Sequence, residues 1–194
     1  MTKKFKDTIT TLNRNSNNLK IVAETFVTYS DEIIFNEDLS MSVLCDLKFE
    51  NFKFSKIDFS RSYFIDCKFE NCTFEKIVTR KSHFTNCTFK SCNLINSSLS
   101  KVEFYESIFT NCQFVKVNLG WSIFLDCTFK KTKFEQVDFE GATLSNLKIK
   151  DLIVLNLNFT ETFPTNFYKS NSNEFIEVKS QSNFEKILKD MVAK

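Results

Sequence analysis

Four of the seven cysteines, Cys67, Cys72, Cys87 and Cys92, stand in the spacing C-x4-C-x14-C-x4-C. Four thiolates in two pairs are the donor set of a structural zinc site. All four, however, belong to one column of small residues that recurs every five positions: Ser62, Cys67, Cys72, Ile77, Ser82, Cys87, Cys92, Ser97, Val102, Ser107, Cys112, Val117, Ser122, Cys127. Serine and valine alternate with cysteine there, so a small, easily buried side chain is what the position requires, and cysteine behaves as one. The sequence therefore predicts six inward, reduced thiols and no metal. Cys45 falls outside that column and is expected to face outward, as the most reactive thiol of the chain.

His83 is the single histidine, placed between Lys81 and Thr85. A general base needs a partner that orients it; Asp66 and Glu103 are the nearest candidates by spacing, and a surface ion pair accounts for them. The chain shows no Ser/His/Asp set, no glycine-rich phosphate loop and no paired buried carboxylates. No catalytic, cofactor-binding or metal-binding residue is assigned, and the chain is expected not to be an enzyme.

What must position these residues is a five-residue period. A large apolar residue stands at every fifth position from residue 39 to residue 159, Phe49, Phe54, Phe59, Phe64, Phe69 and Phe74 among them, with Thr79 the one non-apolar centre. Five is neither the 3.6 of a helix nor the 2 of a long strand. The small residue two positions before each centre resolves this, because residues two apart in extended chain point the same way. Each unit is a very short strand with two inward side chains. Like residues in the small column recur at twenty (Cys67, Cys87, Ser107, Cys127), so four units make one turn and the cross-section is square. A short fixed repeat of this kind buries its apolar side only by stacking. The reading gives about six turns, a rod on the order of 30 Å long.

Units such as Cys67-Lys68-Phe69-Glu70-Asn71 and Cys87-Thr88-Phe89-Lys90-Ser91 resemble the pentapeptide-repeat family. The resemblance covers residues 34–160 and implies a right-handed quadrilateral β-helix. It also implies a functional alternative. Members with similar Cys/Phe units protect DNA gyrase from quinolones or peptide toxins by presenting a duplex-like acidic rod.

Composition agrees with a single repeat body. Most of the 24 Phe sit at repeat centres, and two Gly with one Pro leave corners to ordinary residues. Lys+Arg 26 against Asp+Glu 24 gives a net charge of +2, which suits neither a strongly acidic duplex mimic nor a nucleic-acid binder. No membrane span is expected, since no stretch approaches the ~20 apolar residues required. The N-terminus carries basic residues without an apolar run, so no secretory signal is expected. With seven cysteines not obviously paired, a cytoplasmic location follows.

Residues 1–33 are expected to cap the first turn, with Thr2 capping a short helix that carries Phe5, Ile9 and Leu12, and residues 19–29 readable as helix or strand. Residues 161–194 are expected to form a connection and a short amphipathic helix, opened by Ser182 and Glu185 as a capping box.

One of the four outward surfaces differs from the others. Around Leu44, Phe64, Phe84, Phe104 and Phe124 the flanking residues include Val43, Tyr63, Ile65, Tyr105, Ile123 and Leu125, with Trp121 at the adjoining corner. Contiguous exposed apolar area marks contact surfaces. These seven residues are the candidate interface, for a protein partner or a second copy of the chain.

Overall fold

The computed structural model describes residues 4–8, 20–23, 27–169, 174–176 and 186. It is an all-β parallel solenoid of about seven turns, one more than the repeat count suggested. The twenty-residue register holds throughout the repeat, as in His83↔Glu103, Phe89↔Phe109 and Leu94↔Phe114.

Three of the four sides are ladders of three-residue strands. The first side carries Ser42–Cys45, Tyr63–Ile65, His83–Thr85, Glu103–Tyr105 and Ile123–Leu125; the second carries Lys48–Glu50, Lys68–Glu70, Thr88–Lys90, Ile108–Thr110 and Thr128–Lys130. The eight-residue strand Thr143–Lys150 joins these two sides into one sheet. The third side runs from Ile33–Phe35 to Ile153–Leu155. The fourth is narrower, a column of single bridges through Asp38, Asp58, Val78, Ser98, Asn118, Asp138 and Asn158.

The corners explain why the unit is five residues long. Every fifth residue from 31 to 161 has a left-handed backbone, φ between 50 and 65, and all of them except Gly141 carry a side chain. That conformation is unfavourable for L-residues, least so for Asn and Asp. Stacking offsets it, because each corner N–H reaches the next turn: Asp66 donates to the Thr85 carbonyl at 3.0 Å, and Asn71 to Lys90 at 2.9 Å. On the fourth side the corner is a type II turn, Ser62 N–H donating back to Phe59 and Ser122 N–H to Leu119, with the positive φ at Arg61 and Trp121.

Inside, the phenylalanines stack in ladders along the axis. Phe69–Phe89, Phe89–Phe109 and Phe109–Phe129 have centroids 4.8–4.9 Å apart and nearly parallel planes. The small column is buried as expected, but its polar atoms also bond. Cys67 Sγ donates to Leu44 O at 3.3 Å and Cys127 Sγ to Phe104 O at 3.3 Å, each reaching the carbonyl 23 residues earlier. Ser82 Oγ does the same to Phe59 O at 2.7 Å. Buried backbone carbonyls in the turns thus gain a second donor. Ser42 Oγ and Ser122 Oγ in this column lack a partner among the described residues, as does Oγ1 of the fully buried centre Thr79. A small apolar void lies against it, bounded by Phe59, Phe84 and Leu99.

The N-terminal end is closed by Phe5, from a helical turn at residues 5–8. Its ring packs edge-on against Tyr29 and Phe49, both at 5.0 Å. The turn is capped by Glu32, which accepts the N–H of Phe5 at 2.8 Å and of Lys6 at 3.2 Å. Strand wins over helix in residues 19–29, as Lys20–Ala23 and Thr28–Ser30. Tyr29 there acts as a repeat centre, paired with Phe49. At the other end Phe163–Lys169 continues the twenty-residue register on Thr143–Lys150 and then pairs antiparallel with Glu174–Ile176. The amphipathic helix expected after Ser182 lies outside the described residues, except for Lys186, which is helical.

Candidate interaction surface

The first side presents two outward columns. Val43, Tyr63, His83, Glu103 and Ile123 stack in one; Cys45, Ile65, Thr85, Tyr105 and Leu125 stack in the other. Parallel register alone makes these columns, since outward residues alternate with the buried centres. Tyr63 and Ile65 are exposed, as is Trp121 at the corner, while Val43, Tyr105, Ile123 and Leu125 are half-buried by their neighbours.

All seven candidate residues therefore share one wall, in two groups. Val43, Tyr63 and Ile65 form the group nearer the N-terminus; Tyr105, Trp121, Ile123 and Leu125 form the other. Between them lies a polar cluster. The His83 ring stacks on Tyr63 at 4.7 Å, and its Nδ1 lies 3.1 Å from Glu103 Oε2. The same oxygen accepts the Tyr105 hydroxyl at 2.7 Å, a bond that raises the tyrosine pKa above its usual value. Asp66 takes no part; it accepts from Asn86 instead. The histidine is thus oriented by a carboxylate, on an open wall. Exposed apolar residues also occur at both ends of the third side, at Ile33, Phe35, Ile153 and Leu155. Lys56 Nζ sits 5.0 Å over the Phe35 ring, a cation–π contact.

The inward cysteines are all buried free thiols, and no group of three or more His, Cys, Asp or Glu among the described residues is arranged to hold a metal. Burial raises the thiols of Cys87 and Cys127, the latter to about 12. Cys45 does face outward, but it is only half-exposed and desolvation raises its thiol as well. No helix among the described residues is long and apolar enough to cross a membrane.

One surface feature lies at the corners, apart from the residues that flank each centre and define the four faces. The corner column before the first side is Met41, Arg61, Lys81, Lys101, Trp121, Gly141. Arg61, Lys81 and Lys101, with Arg80 beside them, form no ion pair among the described residues, although they line open grooves with Asp58 and Glu103.

Comparison with known proteins gives the same architecture. Residues 82–161 match the family model "Pentapeptide repeat region", and residues 20–104 match that of the "SV2A/B/C luminal domain". No curated protein matches the chain. Among solved structures, a trypsin-treated variant of QnrB1, a plasmid-mediated fluoroquinolone resistance protein, aligns with a TM-score of 0.50 at 16% identity, over 75% of each chain. Full-length QnrB1 aligns at 0.41 with 16% identity, over 71% of this chain and 82% of that one. HetL, a pentapeptide-repeat protein of Nostoc sp. strain PCC 7120 involved in heterocyst differentiation regulation, aligns at 0.21 with 7% identity, over 87% and 98%. With its five-residue unit, left-handed corners and four stacked sides, the chain resembles the pentapeptide-repeat proteins, whose family model matches residues 82–161.

Proposed function

We propose that this protein is a non-enzymatic scaffold that docks a protein partner, or a second copy of itself, through the first side of the rod. The observation that carries this reading is the stacking of Tyr63, Ile65, Tyr105, Ile123 and Leu125 on one wall, with Trp121 exposed at its edge. A surface that serves only solubility does not need them, and a rigid solenoid holds them in place at no ordering cost when a partner arrives. The test replaces Ile65 and Leu125 together by Lys. Those side chains point out of the rod, so the thermal transition should stay near that of the parent while self-association or partner capture is lost. A double variant that associates like the parent overturns the reading.

A second reading comes from the likeness to QnrB1, a fluoroquinolone resistance protein: protection of DNA gyrase by duplex mimicry. Mimicry asks for a continuous negative surface. Here the outward columns of the second side mix Lys with Glu, Thr and Ile, and the Arg61–Lys81–Lys101 corner is cationic. These features favour the scaffold. Supercoiling by gyrase in the presence of ciprofloxacin, with and without micromolar protein, separates the two; rescue would favour the gyrase reading.

A further inference from the structure

The Arg61-to-Trp121 corner is built against its own stability. Stacked corner residues sit one strand spacing apart, about 4.8 Å along the axis, where like charges repel. Elsewhere like charges stack over two turns at most, as Lys48 on Lys68 and Lys56 on Lys76, and several charges are compensated. The corner Asp31, Asn51, Asn71 is stitched by side-chain hydrogen bonds of 3.0 and 3.3 Å, and on the second side Lys48 and Lys90 both reach Glu70. Along the Arg61 corner, three successive turns place cations on one another. The carboxylates in the adjoining grooves are engaged with other groups: Asp58 Oδ1 accepts the Ser60 N–H at 2.8 Å, and Glu103 Oε2 holds Tyr105 and His83.

The fourth turn of this corner adds an independent observation. Trp121, the sole tryptophan, stands in a left-handed conformation with φ 59, and is 53% exposed. Its indole lies flat against the turn above, where a Cβ on Gly141 would come within 2.7 Å of the ring. Every other corner position from 31 to 161 carries a side chain. The glycine makes room for the indole, which is thereby held as a platform beside Lys101 and Ile123.

We infer that this corner docks an extended acidic segment of a partner protein, its carboxylates on Arg61, Lys81 and Lys101 and an apolar residue on the Trp121 indole. The inference rests on the scaffold reading and names the partner's chemistry. Charge complementarity selects an anionic segment, and a desolvated aromatic beside cations is the usual anchor of such contacts. A single-stranded nucleic acid is the lesser fit. It would need aromatic platforms for successive bases, whereas this corner presents one.

The sole tryptophan makes the test direct. A short peptide of alternating Glu and Leu, free of aromatic residues, is titrated into the full chain while Trp121 emission is followed. A saturable change is expected, with affinity falling about tenfold or more between low and high salt. The Gln-for-Glu peptide should produce no change. The triple variant Arg61→Glu, Lys81→Glu, Lys101→Glu should keep the parent's circular dichroism and lose the binding, read by anisotropy of labelled peptide. Equal binding of the Gln peptide or by the triple variant overturns the inference, as does oligo(dT) binding more tightly than the Glu peptide. Capture of a partner that survives the triple variant but not Ile65→Lys/Leu125→Lys removes this inference and leaves the scaffold; capture indifferent to both removes the scaffold as well.

Discussion

The first and second sides of the rod are the same inside and unlike outside. Inward, Phe64, Phe84, Phe104 and Phe124 stack at 4.3–4.9 Å, and Phe69, Phe89, Phe109 and Phe129 at 4.8–4.9 Å. Outward, the second side pairs several of its charges within and between turns, Lys48 with Glu50 and Glu70, Lys90 with Glu70 at 2.5 Å. The first side shows tyrosine, isoleucine and leucine, and its corner leaves Arg61, Lys81 and Lys101 without counter-ions among the described residues. Register and corner geometry dictate the inward residues and say nothing about the outward ones. A departure from self-compensation on the outside therefore points to something beyond folding.

The comparison breaks first if the insides prove unequal. Phe104→Ala and Phe109→Ala should each cost about 3–5 kcal/mol, measured by denaturant unfolding. A first-side ladder that tolerates the loss while the second does not would mean that the two sides differ in packing, not only in surface. Next in size, Gly141→Ala should cost about 1–3 kcal/mol and shift Trp121 emission, because the new methyl meets the indole. Gly120→Ala, whose Cβ would come 3.2 Å from the Asn118 side chain, should cost less. The fourth side offers a gain: Thr79→Leu fills a void and removes an unpartnered hydroxyl, and should stabilise by about 1–2 kcal/mol in the same assay.

The smallest effect concerns the paired charges of the second side. The Glu70 carboxyl is held below its usual pKa, chiefly by the hydrogen bond from Lys90 and then by Lys48. A carboxylate whose pKa is depressed on folding stabilises above its unfolded pKa and loses that contribution as pH falls through the folded value. The stability difference between the parent and Glu70→Gln should thus be small at neutral pH and vanish in acid. Added salt should shrink it too, since the pair is solvent-exposed.

The body of the rod was legible because each unit repeats its own instruction: centre, small residue, corner. The register of twenty followed from which small residues recur. What the repeat could not reveal lies where one element meets another far along the chain. Glu32 caps the turn at Phe5 across 27 residues, and no local pattern announces it. The small column read as simple hydrophobic packing, yet its thiols and hydroxyls donate to carbonyls of the preceding turn, a requirement that explains why Cys and Ser share it. The apolar wall was visible in the sequence. The His83–Glu103 pair on that wall was also expected from spacing; the stacking of His83 on Tyr63 and the Tyr105 hydroxyl on the same carboxylate were not, because they depend on side-chain rotamers. The cation column and the glycine against Trp121 were missed because they lie at corners, apart from the flanking residues that define each face.

The central claim is that only one wall of this rod is a docking surface, and a lysine scan of outward positions tests it most directly. Single Lys substitutions at Tyr63, Ile65, Tyr105 and Ile123 are compared with substitutions at Thr88, Ile108, Thr110 and Thr128 on the second side, each assayed for thermal transition and for association or partner capture. All eight variants should remain folded, the four on the first side should lose association by about tenfold or more, and the four on the second side should match the parent. Loss spread evenly over both walls, or confined to the second, would contradict the account.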